Sequence, residues 1–220
     1  MASMAHRVAK GLVGGCALLL GVTLSGCGAP QYTYVANSGE STYFKVPHGW
    51  HQINADALEH AYEQVFGSAS GGWQVAYEAG PNPNADDFLS FGASQPFVFA
   101  EVGTLNSTAS QELSYDSLRD FILPVTSTAR QEEPSDYPLT NFKSLRDENL
   151  TPGLGVHGVR ETFDYTLEGG PTDTFDEVAL TNADQTVVYF LLLHCTSSCY
   201  SNDQTEINDV MSSFTVRSSS

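Results

Sequence analysis

Cys195 and Cys199, separated by Thr196-Ser197-Ser198 and preceded by His194, form the densest group of reactive side chains in the sequence. Their spacing admits three chemistries. A disulfide would pin one tight turn and, because its loop is short, would remove less unfolded-chain entropy than a long-range bridge. A metal site could draw on His194 and both thiols, yet Cys-x3-Cys with one adjoining His lacks a fourth ligand at familiar spacing. Two free thiols are the third outcome. A second group is His48, Trp50 and His51, which could form a ligand-binding patch or simply be exposed turn residues. Asn82, Asn84, Asp86 and Asp87 offer the oxygens that calcium takes, without the spaced acids and distal Glu of a known loop. Catalytic signatures are missing. Gly67-Ser68-Ala69-Ser70-Gly71 carries Ala where a nucleophile would stand, and there is neither a Gly-rich phosphate loop with Lys nor His-Glu-x-x-His. No cofactor is implied. The 26 acids allow many glycosidase-type pairs, but spacing singles out none.

The most specific signal is at the N-terminus. Arg7 and Lys10 precede an apolar, Gly-interrupted run from Gly11 to Leu24, and Leu24-Ser25-Gly26-Cys27 closes it. That ending resembles the lipobox of bacterial lipoproteins, in which small residues precede a cysteine that takes lipid. The resemblance implies a signal peptide over residues 1–26 and acylation of Cys27 by fatty chains such as palmitate. The protein would then be held on the extracytoplasmic face of the cell membrane. An uncleaved anchor helix is the alternative. A span needs about 20 apolar residues, and Gly14, Gly15, Gly21 and Gly26 weaken this run. One acyl chain anchors only marginally, so durable attachment requires two or more on Cys27.

Cleavage before Cys27 leaves 194 residues, enough for one domain with a substantial core. The leader holds two of the nine basic residues and none of the 26 acidic ones. The remainder therefore carries seven against 26, a formal charge of −19. Such a field repels polyanions, which excludes nucleic acid as a partner and disfavours close contact with anionic headgroups. Beyond the leader the longest apolar run is Val187 to Leu193, far short of a span.

The elements that would position these groups follow from periodicity. Residues 27–41 carry Pro30, Asn37, Ser38, Gly39 and Ser41 with few large aliphatics, the composition of a flexible tether behind the lipid. The domain is expected over residues 42–217. Tyr43 to Val46 reads as a strand, Pro47-His48-Gly49 as a turn, and Asn54 as the cap of a helix over 55–66 whose Leu58, Tyr62 and Val65 share a face. Trp73 to Glu78 alternates as a strand, and Pro96 to Leu105 is apolar on both faces. Ser114 opens a helix that should stop near Pro124, followed by a long polar loop over 126–137 and a weaker strand over 142–150. Three strands joined by tight turns follow, over 159–167, 174–181 and 185–194, and short connections require antiparallel pairing. In the first of them Glu161, Phe163 and Tyr165 face one way and Arg160, Thr162 and Asp164 the other. A last helix over 202–213 presents Ile207, Val210, Met211 and Phe214, and Thr215 to Arg217 could close the sheet. The sum is an α+β fold, a mostly antiparallel sheet with helices on both faces.

Phe44-Lys45-Val46-Pro47-His48-Gly49-Trp50 resembles the opening strand, Pro-x-Gly turn and Trp of the PsbP-like superfamily, which includes actinobacterial LpqN-type lipoproteins. Ile207 to Phe214 is similar to that superfamily's last helix and final strand. The two motifs cover under a tenth of the chain. The resemblance implies an α/β/α sandwich and a non-catalytic adaptor of the cell envelope that binds a protein partner or an amphiphilic ligand. It carries over no catalytic residues, and the expected loop between Pro124 and Leu139 matches no known member. Two other classes stay open: a secreted hydrolase using acidic residues, and a small-ligand receptor with a deep apolar pocket.

Overall fold

Ten strands, all paired antiparallel, make two sheets in the computed structural model, which describes residues 31–39, 41–68 and 71–217. The larger sheet runs β3 (His51–Gln52), β4 (Trp73–Glu78), β5 (Phe97–Thr104), β9 (Val187–Thr196), β8 (Thr172–Thr181), β7 (Val156–Leu167), β6 (Leu139–Gly153). The smaller is β1 (Tyr32–Asn37), β2 (Thr42–Pro47) and β10 (Thr215–Val216). The β6-β7-β8-β9 run is a meander of consecutive hairpins, as the short turns require. The fold is α+β, with an antiparallel sheet covered on both faces.

The unbroken apolar run of β9 is explained by two cores. Val188, Phe190 and Leu192 enter one, while Tyr189, Leu191, Leu193 and Cys195 enter the other. A strand in mid-sheet needs no polar face, and each such side chain taken fully from water contributes about 1.5–3 kcal/mol. On one side the cover is the small sheet, Trp50, α5 (Ser197–Asn202) and α6 (Gln204–Met211), whose Ile207, Val210 and Met211 are buried as expected. On the other side it is α1 (Ala55–Phe66) and α3 (Tyr115–Arg119), with Phe88 and Val125 buried in the same core. Helix α1 has the expected bounds and cap, since the Asn54 side chain accepts from Ala57 N–H. Its buried face is Leu58 and Ala61, however, and Val65 is 48 % exposed.

Several boundaries differ from the sequence reading. Regular structure is already present upstream of Thr42: the stretch read as tether contains β1, whose six residues pair with β2 and bury Val35. Composition concealed it, because one strand on a sheet rim needs only one buried aliphatic. The loop expected over 126–137 contains α4 (Ser127–Glu132), capped by the Thr126 hydroxyl, which accepts from Ala129 N–H. The helix opened by Ser114 ends at Arg119, well before Pro124, and is preceded by α2 (Ser107–Glu112). Asp120 stops it: its carboxylate accepts from the backbone N–H groups of Val125 and Thr126, each at 2.7 Å, and turns the chain into α4. The helix expected over 202–213 is α6, Gln204–Met211, and a separate short helix, α5, precedes it on the other side of Asp203. Finally, β10 extends the small sheet, not the large one.

Candidate functional site

Asp147 on β6, Glu161 on β7 and Glu177 on β8 stand directly opposite one another, forming a row of three carboxyls across adjacent strands. The next position in the row is Leu192 on β9. Strand parity places Glu161 with Val159, Phe163 and Tyr165 on the face that packs against α1 and α3. Exposure falls inward along the row, from 53 % for the Asp147 side chain to 2 % for Glu161 and 0 % for Glu177. Like charges directly opposed in a sheet are destabilising, so something must offset them.

Part of the compensation is Arg119. Ser114 and Ser117 exchange hydrogen bonds at the start of α3, Leu118 is buried to 1 % exposure beneath it, and Arg119 is thereby aimed over the row. Its Nε lies 2.8 Å from Glu161 Oε1, Nη2 lies 2.8 Å from Asp147 Oδ1, and Nη1 lies 3.3 Å from Asp116. Nη2 also donates to Asn149 at 2.8 Å, so all three guanidinium nitrogens are engaged. One cation does not neutralise three carboxyls. Burial, reinforced by Asp147 and opposed by Arg119, raises the Glu161 carboxyl to about 7. Burial, with Glu161, Asp120 and Asp176 adding repulsion, holds Glu177 well above the usual carboxylate range. Neither Glu177 oxygen has a hydrogen-bond partner among the described residues. Burial in this apolar layer therefore favours the protonated, uncharged form of Glu177.

Above the outer end of this row opens a cleft of about 450 Å³ between α3–α4 and β6–β7, lined by Arg119, Arg130, Phe142, Ser144, Asp147 and Glu161 among others. The Arg130 guanidinium lies 3.8 Å from the centre of the Phe142 ring and donates to the Val125 carbonyl. A smaller cavity of about 220 Å³ lies beyond this stack, with Tyr137 and Tyr165 in its wall. The Tyr165 hydroxyl donates to the Pro124 carbonyl, tying the α3–α4 turn to the sheet.

The opposite face carries a different polar cluster. Arg160 Nε and Nη2 donate to the two Asp176 oxygens at 3.0 and 2.8 Å, and the Tyr200 hydroxyl donates to Asp176 at 2.8 Å. Arg160 also reaches Asn208 at 3.3 Å, so the network bolts α5 and α6 to β7 and β8. Nearby, Cys195 and Cys199 form a disulfide that joins the end of β9 to α5, with Cα atoms 5.9 Å apart. His194 points to the other core, stacked on Phe175 at 5.3 Å, and burial lowers it to about 4. It is therefore not beside the sulfurs. Among the described residues no group of His, Cys, Asp and Glu is arranged to hold a metal ion.

The His48, Trp50 and His51 group does not share a surface. Trp50 is 6 % exposed and its indole N–H donates to Glu206 at 2.9 Å, which makes it a core residue between the small sheet and α6. His48 is exposed beside Thr33, and His51 is exposed on β3 opposite Glu78. In the Asn82–Asp87 run, Asn84 caps a 3-10 turn over Ala85–Asp87 and its N–H donates to Glu78 at 2.7 Å, a local structural role. Residues 1–26 and Cys27 lie outside the described residues. Asp147, Glu177, Arg119 and Arg130 carried no sequence signal, because their spacings follow strand register and helix docking. Glu161 did carry one, an acid in phase with Phe163 and Tyr165 on an apolar face.

No family model matches the sequence, and no curated protein is similar to it in sequence. Solved structures of similar fold include the solution structure of cyanobacterial PsbP (CyanoP) from Synechocystis, 15 % identical, covering 93 % of this chain and 99 % of that one with a TM-score of 0.49. They also include LpqN of Mycobacterium tuberculosis, described as involved in cell envelope biogenesis, 13 % identical, covering 86 % of this chain and 91 % of that one with a TM-score of 0.44.

Proposed function

We propose that this chain is a lipid-anchored, extracytoplasmic binding module of the cell envelope, and that its ligand or partner enters the cleft between α3–α4 and β6–β7. The cleft carries the reading: it is an open space between helices and sheet, lined mostly by charged and hydroxyl side chains, with Phe142 and Val125 as its apolar part. Its most reactive-looking group, Glu161, is 2 % exposed and ion-paired to Arg119, which suits a structural acid better than one that must reach a substrate. The leader that ends in Leu24-Ser25-Gly26-Cys27 supports attachment through Cys27. The acidic balance supports a body that stands off an anionic membrane surface.

A photo-reactive amino acid at Ser144, in the cleft, and another at Tyr34, 80 % exposed on the small sheet, test the reading in cells. The expected result is a discrete adduct of one mass from position 144 and none from position 34. Equal capture at both, or none at 144, counts against it. Turnover of glycosidic or ester substrates by the intact chain, lost in Glu161→Gln, would replace it with the hydrolase reading. Cys27→Ala is expected to move the protein from membrane to soluble fractions, and retention in the membrane would mean that the leader stays uncut.

A further inference from the structure

Arg119, Arg146 and Arg160 each hold a carboxylate in an ion pair. Arg130 holds none among the described residues. It is half-buried, its flat face covers Phe142, and Nη1 is taken by the Val125 carbonyl, while Nε and Nη2 have no acceptor among the described residues. A partly desolvated guanidinium without a counter-ion is unfavourable unless something supplies the missing charge. The side chain also borders both the 450 Å³ cleft and the 220 Å³ cavity, so the edge carrying those donors is reachable. In the larger cleft Asp116, Asp147 and Glu161 all point at Arg119. Glu133 lines the smaller cavity with Arg130 and forms no ion pair with it. The hydroxyls of Ser127 and Ser144 line the same space and make no hydrogen bond within the described residues.

We propose that Arg130, with the Ser127 and Ser144 hydroxyls, is the anion subsite of the cleft and takes a carboxylate or phosphate group of the ligand. The planar fork of arginine suits both, because two parallel N–H donors match two oxygens of either group. The chain's overall negative field works against anions at long range, so recognition here is local and selects a ligand that brings its anion into the cleft with other contacts. This assignment rests on the cleft being the binding site.

The side-chain Nε–H signal of Arg130, identified by its loss in Arg130→Gln, reports the subsite directly in the intact chain in nonionic detergent. Sodium phosphate and sodium acetate are expected to move it saturably, and sodium chloride at equal ionic strength is not. The variants lack this signal, so their phosphate binding is read by calorimetry: Arg130→Lys keeps the charge but loses the fork, and should weaken binding about tenfold or more; it also decides the matter if the Gln variant unfolds. A drift matching that in chloride, or saturable phosphate binding that survives in the Gln variant, overturns the proposal. Tighter binding of a short-chain phosphatidylglycerol than of glycerol phosphate would assign the anion to a lipid headgroup, and equal binding to a free anion. Capture from position 144 without any shift at Arg130 would overturn the anion subsite alone. A saturable shift at Arg130 without capture would overturn the wider binding reading alone.

Discussion

Asp176 and Glu177 are consecutive residues of β8, both at 0 % exposure, and they face opposite cores. Asp176 is met by two Arg160 donors and the Tyr200 hydroxyl, a closed network of matched charge. Glu177 meets Glu161 across the strand and finds no hydrogen-bond partner among the described residues. Burial depth is the same, so the difference lies in what each face supplies. The Arg160 face has an arginine on the neighbouring strand and a tyrosine on the covering helix, whereas on the Glu177 face Arg119 is taken up by Glu161, Asp147 and Asp116 and does not reach Glu177. A buried acid in the first setting fixes the position of α5, and in the second burial and like charge favour its protonated form.

The sharpest way to break the comparison is to remove one member of the matched pair. Asp176→Ala leaves Arg160 partly buried without a counter-ion and Tyr200 without an acceptor. It should cost about 3–5 kcal/mol in urea unfolding, the range for orphaning a buried charge. A loss under about 1 kcal/mol would mean that the network contributes little and that the two faces do not differ.

The pH response of the row of acids comes next. For Glu161 the folded value of about 7 lies above the ordinary 4.5, so between these limits the folded chain binds a proton that the unfolded chain has released. Stability from this group is complete below about 4.5 and is lost as pH rises towards 7. Asp173, raised to about 6 by burial, acts in the same direction, while His194, lowered to about 4, acts in the opposite one. The measurable quantity is therefore the difference between the parent and Glu161→Gln. Relative to the parent, the variant should gain stability by on the order of 1–3 kcal/mol from pH 4.5 to 7. A flat difference would mean that Arg119 keeps Glu161 ionised throughout.

Glu177→Leu tests the unpartnered member alone. Replacing a buried acid that has no hydrogen bond with an apolar side chain of similar size should stabilise the fold by about 1–2 kcal/mol. The sign is opposite to that expected one residue earlier at Asp176. Destabilisation of similar size would indicate a partner for the carboxyl that the static structure lacks.

Legibility divides along the same line. The β7-β8-β9 meander, the Asn54-capped helix and the two-faced core of β9 were readable, because each is written in local periodicity and turn chemistry. So was the oddity of Glu161 among apolar neighbours. Its partners were not: Asp147 and Glu177 join it only through strand register, and Arg119 only because Asp120 ends α3 at that point. The edge elements were the least readable. β1 and α4 have little buried surface to impose a pattern, and what holds them is pairing with β2 and the Thr126 cap. Trp50 misled in the other direction, since a Trp between two histidines reads as a surface patch until its indole is found beneath α6.

The disulfide on the Asp176 face tests the comparison through coupling rather than through size. Cys195 and Cys199 are four positions apart, so reduction frees only a short loop and the chain-entropy contribution is about 2 kcal/mol, at the low end for disulfides. The Arg160–Asp176–Tyr200 network holds the same helix from a second point. Reduction alone should therefore lower stability modestly and leave α5 docked, with hydrogen exchange at Tyr200 little changed. In an Asp176→Ala background α5 is left with the bridge and the Ser197 hydrogen bonds to Thr172 and Thr174, and reduction should loosen the helix and speed exchange there sharply. If reduction has the same effect in both backgrounds, the two ties are independent, and α5 is held mainly by the apolar contacts of Tyr200 and Cys199 with the core beneath them.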